Sequence, residues 1–177
     1  MKTYTIVRVG LAAALLAICA WISIPFAVPF TLQTFAVFLI LIVLGGVEGT
    51  AAIAVYVALG AIGAPVFAGF TGGFSVLLGP TGGYILGFLI MGALKIFFDI
   101  AIKNPKLDVY CLAFGLVLCY IFGTLRFTAV MARRGSPYTF GSALLACVLP
   151  YVLPDAVKLA LALLAGNRIK KALRLKK

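Results

Sequence analysis

Two ionisable residues near the end of the chain have the types and spacing to do chemistry. Asp155 and Lys158 lie three apart, on one helix face, in an otherwise apolar stretch that also holds Pro150 and Pro154. Charge inside a spanning segment is costly and turns toward the bundle interior or a cavity. The two offer complementary recognition, since a carboxylate accepts N–H donors and an ammonium pairs with a carboxylate. The same spacing also makes a salt bridge that only cancels its own charge. Gln33, in Pro29-Phe30-Thr31-Leu32-Gln33-Thr34, carries an amide that donates and accepts at once. That suits a urea or amide ligand, and it equally suits hydrogen bonding between helices. Lys95, Asp99 and Lys103 form an i,i+4 ladder at the end of another apolar stretch, which snorkelling with a local salt bridge explains. Glu48, in the turn from Gly45 to Gly49, is expected to be solvated or to touch a partner.

Other chemistries lack their residues. The chain has no histidine, and its four cysteines (Cys19, Cys111, Cys119, Cys147) sit in apolar runs without a CxxC pair, so the donor set for zinc or haem is missing and no cofactor is expected. No G-x-x-x-x-G-K-[ST] is present, which excludes ATP hydrolysis by the P-loop route. No G-x-S-x-G surrounds any serine, and an enzyme is not expected.

These residues must be positioned by membrane helices. Of 177 residues, 64% are apolar and 11% charged, with a mean hydropathy of +1.22, whereas a soluble domain is nearer half apolar and a quarter charged. Spans of roughly 20 residues then occupy the whole length as one membrane domain, 1–177. Apolar runs between breakers predict six: Val9–Ile24, Phe30–Leu44, Gly49–Ala64, Gly83–Ile102, Leu107–Met131 and Phe140–Ala165, the last interrupted by Pro150 and Pro154. The first run is expected to be kept as a span and not removed as a signal peptide.

The net charge of +11 is read by position. Arg168, Lys170, Lys171, Arg174, Lys176 and Lys177 crowd the last ten residues, as an anchor against anionic lipid headgroups, so nucleic acid is not expected as a partner. With Lys2, Arg8, Lys103 and Lys106 they make ten basic residues on one side, against Arg126, Arg133 and Arg134 on the other. That asymmetry places both termini in the cytoplasm and leaves the outer arginines unexplained.

The stretch from Pro65 to Tyr84 is too apolar for a solvated loop and too rich in glycine for a regular helix. Irregular backbone at membrane depth survives where protein or a water-lined cavity satisfies it. The stretch is therefore expected to fold back, re-entrant-like, between the third and fourth helices, either as the lid of a cavity or as a packed plug. Trp21, Phe26, Phe30, Phe67, Phe70, Phe74 and Tyr84 cluster around that place, and some are expected to wall an apolar pocket. In the first span Ala13 and Ala17 form one small-xxx-small pair and Gly10 and Ala14 another, a spacing that lets a partner helix approach closely.

Pro29-Phe30-Thr31-Leu32-Gln33-Thr34-Phe35, then Tyr56 leading to Leu59-Gly60-Ala61-Ile62-Gly63-Ala64-Pro65-Val66-Phe67-Ala68, then Leu78-Gly79-Pro80-Thr81-Gly82-Gly83-Tyr84 resemble the signature blocks of the BioY family. These are biotin-specific S components of energy-coupling factor (ECF) vitamin transporters. Leu149-Pro150 followed by Asp155 and Lys158 extends the resemblance to the sixth segment; it departs at Pro154, where glycine is expected. The resemblance implies an all-α, six-helix S-component fold and capture of biotin from outside. It also implies a complex with a transmembrane coupling protein and two cytoplasmic ATPases. It further implies that Asp155 and Lys158 belong to the vitamin site, and that the small-residue face with Ala13 and Ala17 docks the coupling protein. On that reading Asp155 accepts a ureido N–H with help from Gln33, and Lys158 meets the carboxylate or the ureido oxygen. Phe67, Phe70 and Tyr84 enclose the apolar part. Two alternatives stand beside it: an S component for another vitamin, and a stand-alone transporter coupled to protons through Asp155, Asp99 or Glu48.

Overall fold

The computed structural model describes residues 3–26, 28–104, 107–135 and 138–172. Lys2, Lys106, Arg174, Lys176 and Lys177, which enter the charge count above, lie outside the described residues, as do Ser136 and Pro137. The described chain is helical. It runs through α1 (Thr3–Trp21), β1 (Ser23–Ile24), β2 (Phe30–Thr31), α2 (Gln33–Ala61), a 3-10 turn (Ala68–Phe70), α3 (Phe74–Leu78), α4 (Gly82–Ala101), α5 (Asp108–Arg133), α6 (Phe140–Cys147) and α7 (Leu149–Ala172). Among the described residues five helices, α1, α2, α4, α5 and α7, are long and apolar enough to cross a membrane.

α2 is one element only by connectivity. A straight helix rises 1.5 Å per residue and would hold Gln33 and Tyr56 about 35 Å apart. Instead the Gln33 Nε2 donates to the Tyr56 hydroxyl at 2.5 Å. The chain reverses at Gly45, where φ is +78° and ψ −178°, a conformation that disfavours any residue with a Cβ. The two limbs, 33–44 and 46–61, therefore lie side by side. The turn is pinned by the Asp99 carboxylate, which accepts from the Gly46 N–H at 2.7 Å.

α1 begins six residues earlier than expected and stops at Trp21. Pro25 and Pro29 lack an N–H and cannot continue a helix, and the residues between form a two-residue antiparallel pair, Ser23 with Thr31 and Ile24 with Phe30. The expected last segment is two helices. The backbone breaks at Val148 (φ −124°, ψ −53°), and Pro150 then falls in the first turn of α7, where its missing N–H costs nothing. Pro154 lies inside α7 and does not end it. α7 continues to Ala172, so Arg168, Lys170 and Lys171 are helical.

α2 packs against α1, α4 and α7, and α4 against α5. The core between them holds Leu16, Phe38, Leu41, Ile53, Tyr56, Met91 and Leu112, each almost fully buried. Large apolar side chains also cover the outside, among them Leu11, Phe97, Ile100, Tyr110 and Leu153. Helices apolar on both faces belong in lipid, and the protein is a multi-pass membrane protein.

Two charged residues behave differently from expectation at the end where α2 turns. Lys95 does not snorkel: it is wholly buried and bridges Asp99 at 2.5 Å and Asp108 at 3.1 Å, joining α4 to α5. Glu48 is not simply solvated, because it accepts from Arg8 at 2.7 Å and so ties the α2 turn to α1.

Candidate functional site

At the other end of the two α2 limbs, β2, α2, α5 and α7 bring polar groups together. Asp155 and Lys158, one turn apart on α7, are 2% and 6% exposed and bridge each other at 2.8 Å. They are not bonded only to one another. The Asp155 Oδ1 also accepts from the Thr34 hydroxyl at 2.8 Å, and its Oδ2 accepts from the Tyr120 hydroxyl of α5 at 2.6 Å. The Lys158 ammonium also donates to the Thr31 carbonyl at 2.7 Å and the Thr34 hydroxyl at 3.2 Å. The Phe30 ring centroid lies 4.1 Å from it. Buried charge is tolerable only with this degree of satisfaction.

Beside this cluster lie two adjoining hollows. The smaller, about 60 Å³, is lined in part by Lys158, Thr31, Thr34, Tyr120 and Tyr151. The larger, about 380 Å³, is roofed by the segment that follows α2, with Phe67, Ala68, Thr71, Ser75, Val76, Gly79 and Pro80 in its wall. Val28, Pro29, Gln33, Tyr84 and Phe88 line both. A mostly apolar hollow of a few hundred Å³ with a few convergent polar groups has the character of a small-molecule site.

Local packing explains how the roof is held. Phe67 is 1% exposed and meets the Tyr56 ring edge-on with centroids 5.5 Å apart. A Cβ at Gly60 would fall 2.0 Å from the Phe67 ring, so only glycine there lets the ring lie against α2. Thr71 and Phe67 close a small bridge. Trp21 donates from Nε1 to the Pro65 carbonyl at 2.8 Å and stacks on Phe70 at 5.0 Å. Arg126 of α5 donates to the Leu78 carbonyl at 2.9 Å and so holds the end of α3.

The residues expected at the site separate accordingly. Gln33, Tyr84 and Lys158 line the hollows and Phe67 walls the larger one. Asp155 lies behind Lys158, Thr34 and Tyr120 and lines neither hollow. Phe70 is 63% exposed and stacks outside on Trp21, while Phe26 and Phe74 are also exposed. Ala13 and Ala17 do not form an outward face: they are 4% and 6% exposed, on the side of α1 that also buries Val9, Leu16 and Ala20. The outward small pair on that helix is Gly10 and Ala14. Sequence reasoning missed Thr34, Tyr56, Tyr120 and Tyr151. Their one signal was a hydroxyl in an apolar span, which has to find a partner when buried.

The arrangement suits a neutral polar ring. Gln33, which lines both hollows, uses one amide N–H on Tyr56 and accepts from the Thr31 hydroxyl at 3.2 Å, which leaves a donor and a lone pair of its amide unused by these bonds.

These features define a helical, multi-pass membrane protein with a small-molecule-sized hollow beside a buried ion pair. A family model described as the BioY family matches residues 1–175. The chain is 43% identical to a biotin transporter BioY of Thermotoga maritima over 94% of this chain and 95% of the relative. It is 37% identical to a probable biotin transporter BioY of Pyrococcus horikoshii over 96% and 98%. A crystal structure of the S-component for biotin from an ECF-type ABC transporter superposes with a TM-score of 0.82 at 24% identity, covering 96% of this chain and 92% of that one. The chain belongs to the BioY family.

Proposed function

We propose that this protein is the biotin-capturing membrane subunit of an ECF-type uptake transporter. The observation that carries the reading is a Lys158 ammonium on the wall of the smaller hollow, held by Asp155, Thr34 and the Thr31 carbonyl, with Gln33 lining both that hollow and the roofed one. The biotin ureido ring enters the smaller hollow and its oxygen accepts from Lys158. A ureido N–H meets the Gln33 Oε1, with Tyr84 and Phe67 against the apolar ring. Asp155 acts as a positioning residue, orienting Lys158, Thr34 and Tyr120. The segment from Pro65 to Gly82 is the lid.

In this reading the two limbs of α2 are separate crossings and α6 with α7 is one interrupted segment, six in all. Both termini lie on the cytoplasmic side of the cell membrane. The chain carries no phosphate-cradling loop, so release of the vitamin inside draws on two partner ATPases through a transmembrane coupling protein. The outward Gly10 and Ala14 of α1 supply the close-packing face for that protein.

Calorimetric titration of the purified chain with biotin, with thiamin and riboflavin as competitors, tests the reading. Saturable binding of biotin alone is expected. Binding of either competitor in preference to biotin overturns it. Replacing Gly10 and Ala14 by Leu is expected to abolish uptake in cells while leaving biotin binding intact; unchanged uptake removes that docking face.

A further inference from the structure

The outer arginines break the charge asymmetry of the chain, and the fold gives two of them separate tasks. Arg126 holds the end of α3 through the Leu78 carbonyl. Arg134, the residue that caps α5, stands in the wall of the larger hollow, beside Val28, Pro80 and Thr81. Arg134 is itself exposed, and a guanidinium that borders an otherwise apolar hollow can pair with a ligand carboxylate there. The chain has four acidic residues in all, and each is committed elsewhere: Glu48 to Arg8, Asp99 and Asp108 to Lys95, and Asp155 to Lys158. Among the described residues no acidic side chain is paired with Arg134.

Resting on the biotin reading above, we propose that Arg134 recognises the carboxylate of the ligand. Lys158 lines only the smaller hollow and Arg134 only the larger, and the two hollows share five wall residues. In this assignment a molecule whose ureido end reaches Lys158 extends its other end past the shared residues Gln33, Tyr84 and Phe88 into the chamber that Arg134 borders. The assignment separates the two charges of the site: the ammonium serves the neutral ring and the guanidinium serves the acid. It also makes the site selective for the free acid over neutral derivatives of the same molecule.

The test compares biotin with biotin amide, which keeps the ring and loses the charge, on the unaltered full chain, Arg134→Gln and Arg133→Gln. A partly exposed ion pair with a guanidinium is worth about a five- to tenfold change in affinity. The unaltered chain and Arg133→Gln are expected to prefer biotin by about that factor, with a preference that shrinks as salt is added. In Arg134→Gln the preference is expected to vanish while biotin amide binds as before. A preference that survives in Arg134→Gln overturns the assignment, and so does an equal loss for both ligands, which marks a structural role. If the unaltered chain binds neither ligand, the biotin reading fails and takes this assignment with it.

Discussion

Among the described residues two lysines are buried, each with a carboxylate one helical turn away, and they differ in their surroundings. Lys95 is enclosed by two carboxylates, Asp99 on its own helix and Asp108 on α5; Lys170 of α7 approaches Asp108 at 3.9 Å and Asp99 also holds the α2 turn. Four helices meet there around the cation; a hollow of about 620 Å³ reaches Asp99, and Lys95 is not among its lining residues. Lys158 has one carboxylate and two neutral oxygens, and it faces open space. A buried cation surrounded by countercharge is a cross-link. One held by weaker neutral acceptors beside a void keeps the capacity to exchange a partner for a ligand.

The sharpest way to break this contrast is to truncate each lysine. Lys95→Ala strips a shared cation from two carboxylates and is expected to cost about 3–5 kcal/mol of stability, read as a lower Tm in detergent, with near-normal biotin affinity in the protein that remains folded. Lys158→Ala is expected to lower biotin affinity on the order of a hundredfold, since hydrogen bonds to charged groups contribute about 1.5–3 kcal/mol each. If Lys95→Ala damaged affinity more than Lys158→Ala did, the two roles would be reversed.

A smaller effect sharpens the role of Asp155. Tyr120→Phe removes the hydroxyl that donates to Asp155 Oδ2 and leaves the ring in place. One neutral hydrogen bond contributes about 1 kcal/mol, so a roughly fivefold weaker affinity is expected by titration. An unchanged affinity would detach Tyr120 from the positioning of the pair. The smallest effect is expected at Phe70, which stacks outside on Trp21: Phe70→Ala should change equilibrium affinity by less than about twofold, within the range of surface substitutions. A large loss there would bring the outer edge of the lid into the site.

The segments were legible because bilayer solvent leaves few options: long apolar runs must be helical, and breakers at Pro25, Pro29 and Gly45 marked their ends. α4 and α5 lie within two residues of expectation at each end. The start of α1 was misplaced because Thr3 to Arg8 reads as a polar flank, although helix continues through it. The break at Val148 was placed on the prolines, whereas the first turn of α7 accommodates Pro150 and the interior of the helix holds Pro154. At the site, Gln33 and the α7 pair stood out because polar groups are rare in this composition. Tyr120 and Thr34 did not, since their meaning depends on helices 35 and 121 residues away from them in sequence that end beside Asp155.

By itself the sequence determined that this is a membrane protein, where most of its helices run, and which few polar residues have to find company in an apolar interior. Those follow from composition and local order, because hydrophobicity and missing N–H groups act within a turn or two of the chain. Only the tertiary structure decided that Lys95 is a cross-link and Lys158 a wall of a hollow, that Asp155 stands behind it, and that Ala13 and Ala17 face inward. Those outcomes depend on which helix faces pack together and where they leave a gap, and a gap is a property of several segments at once.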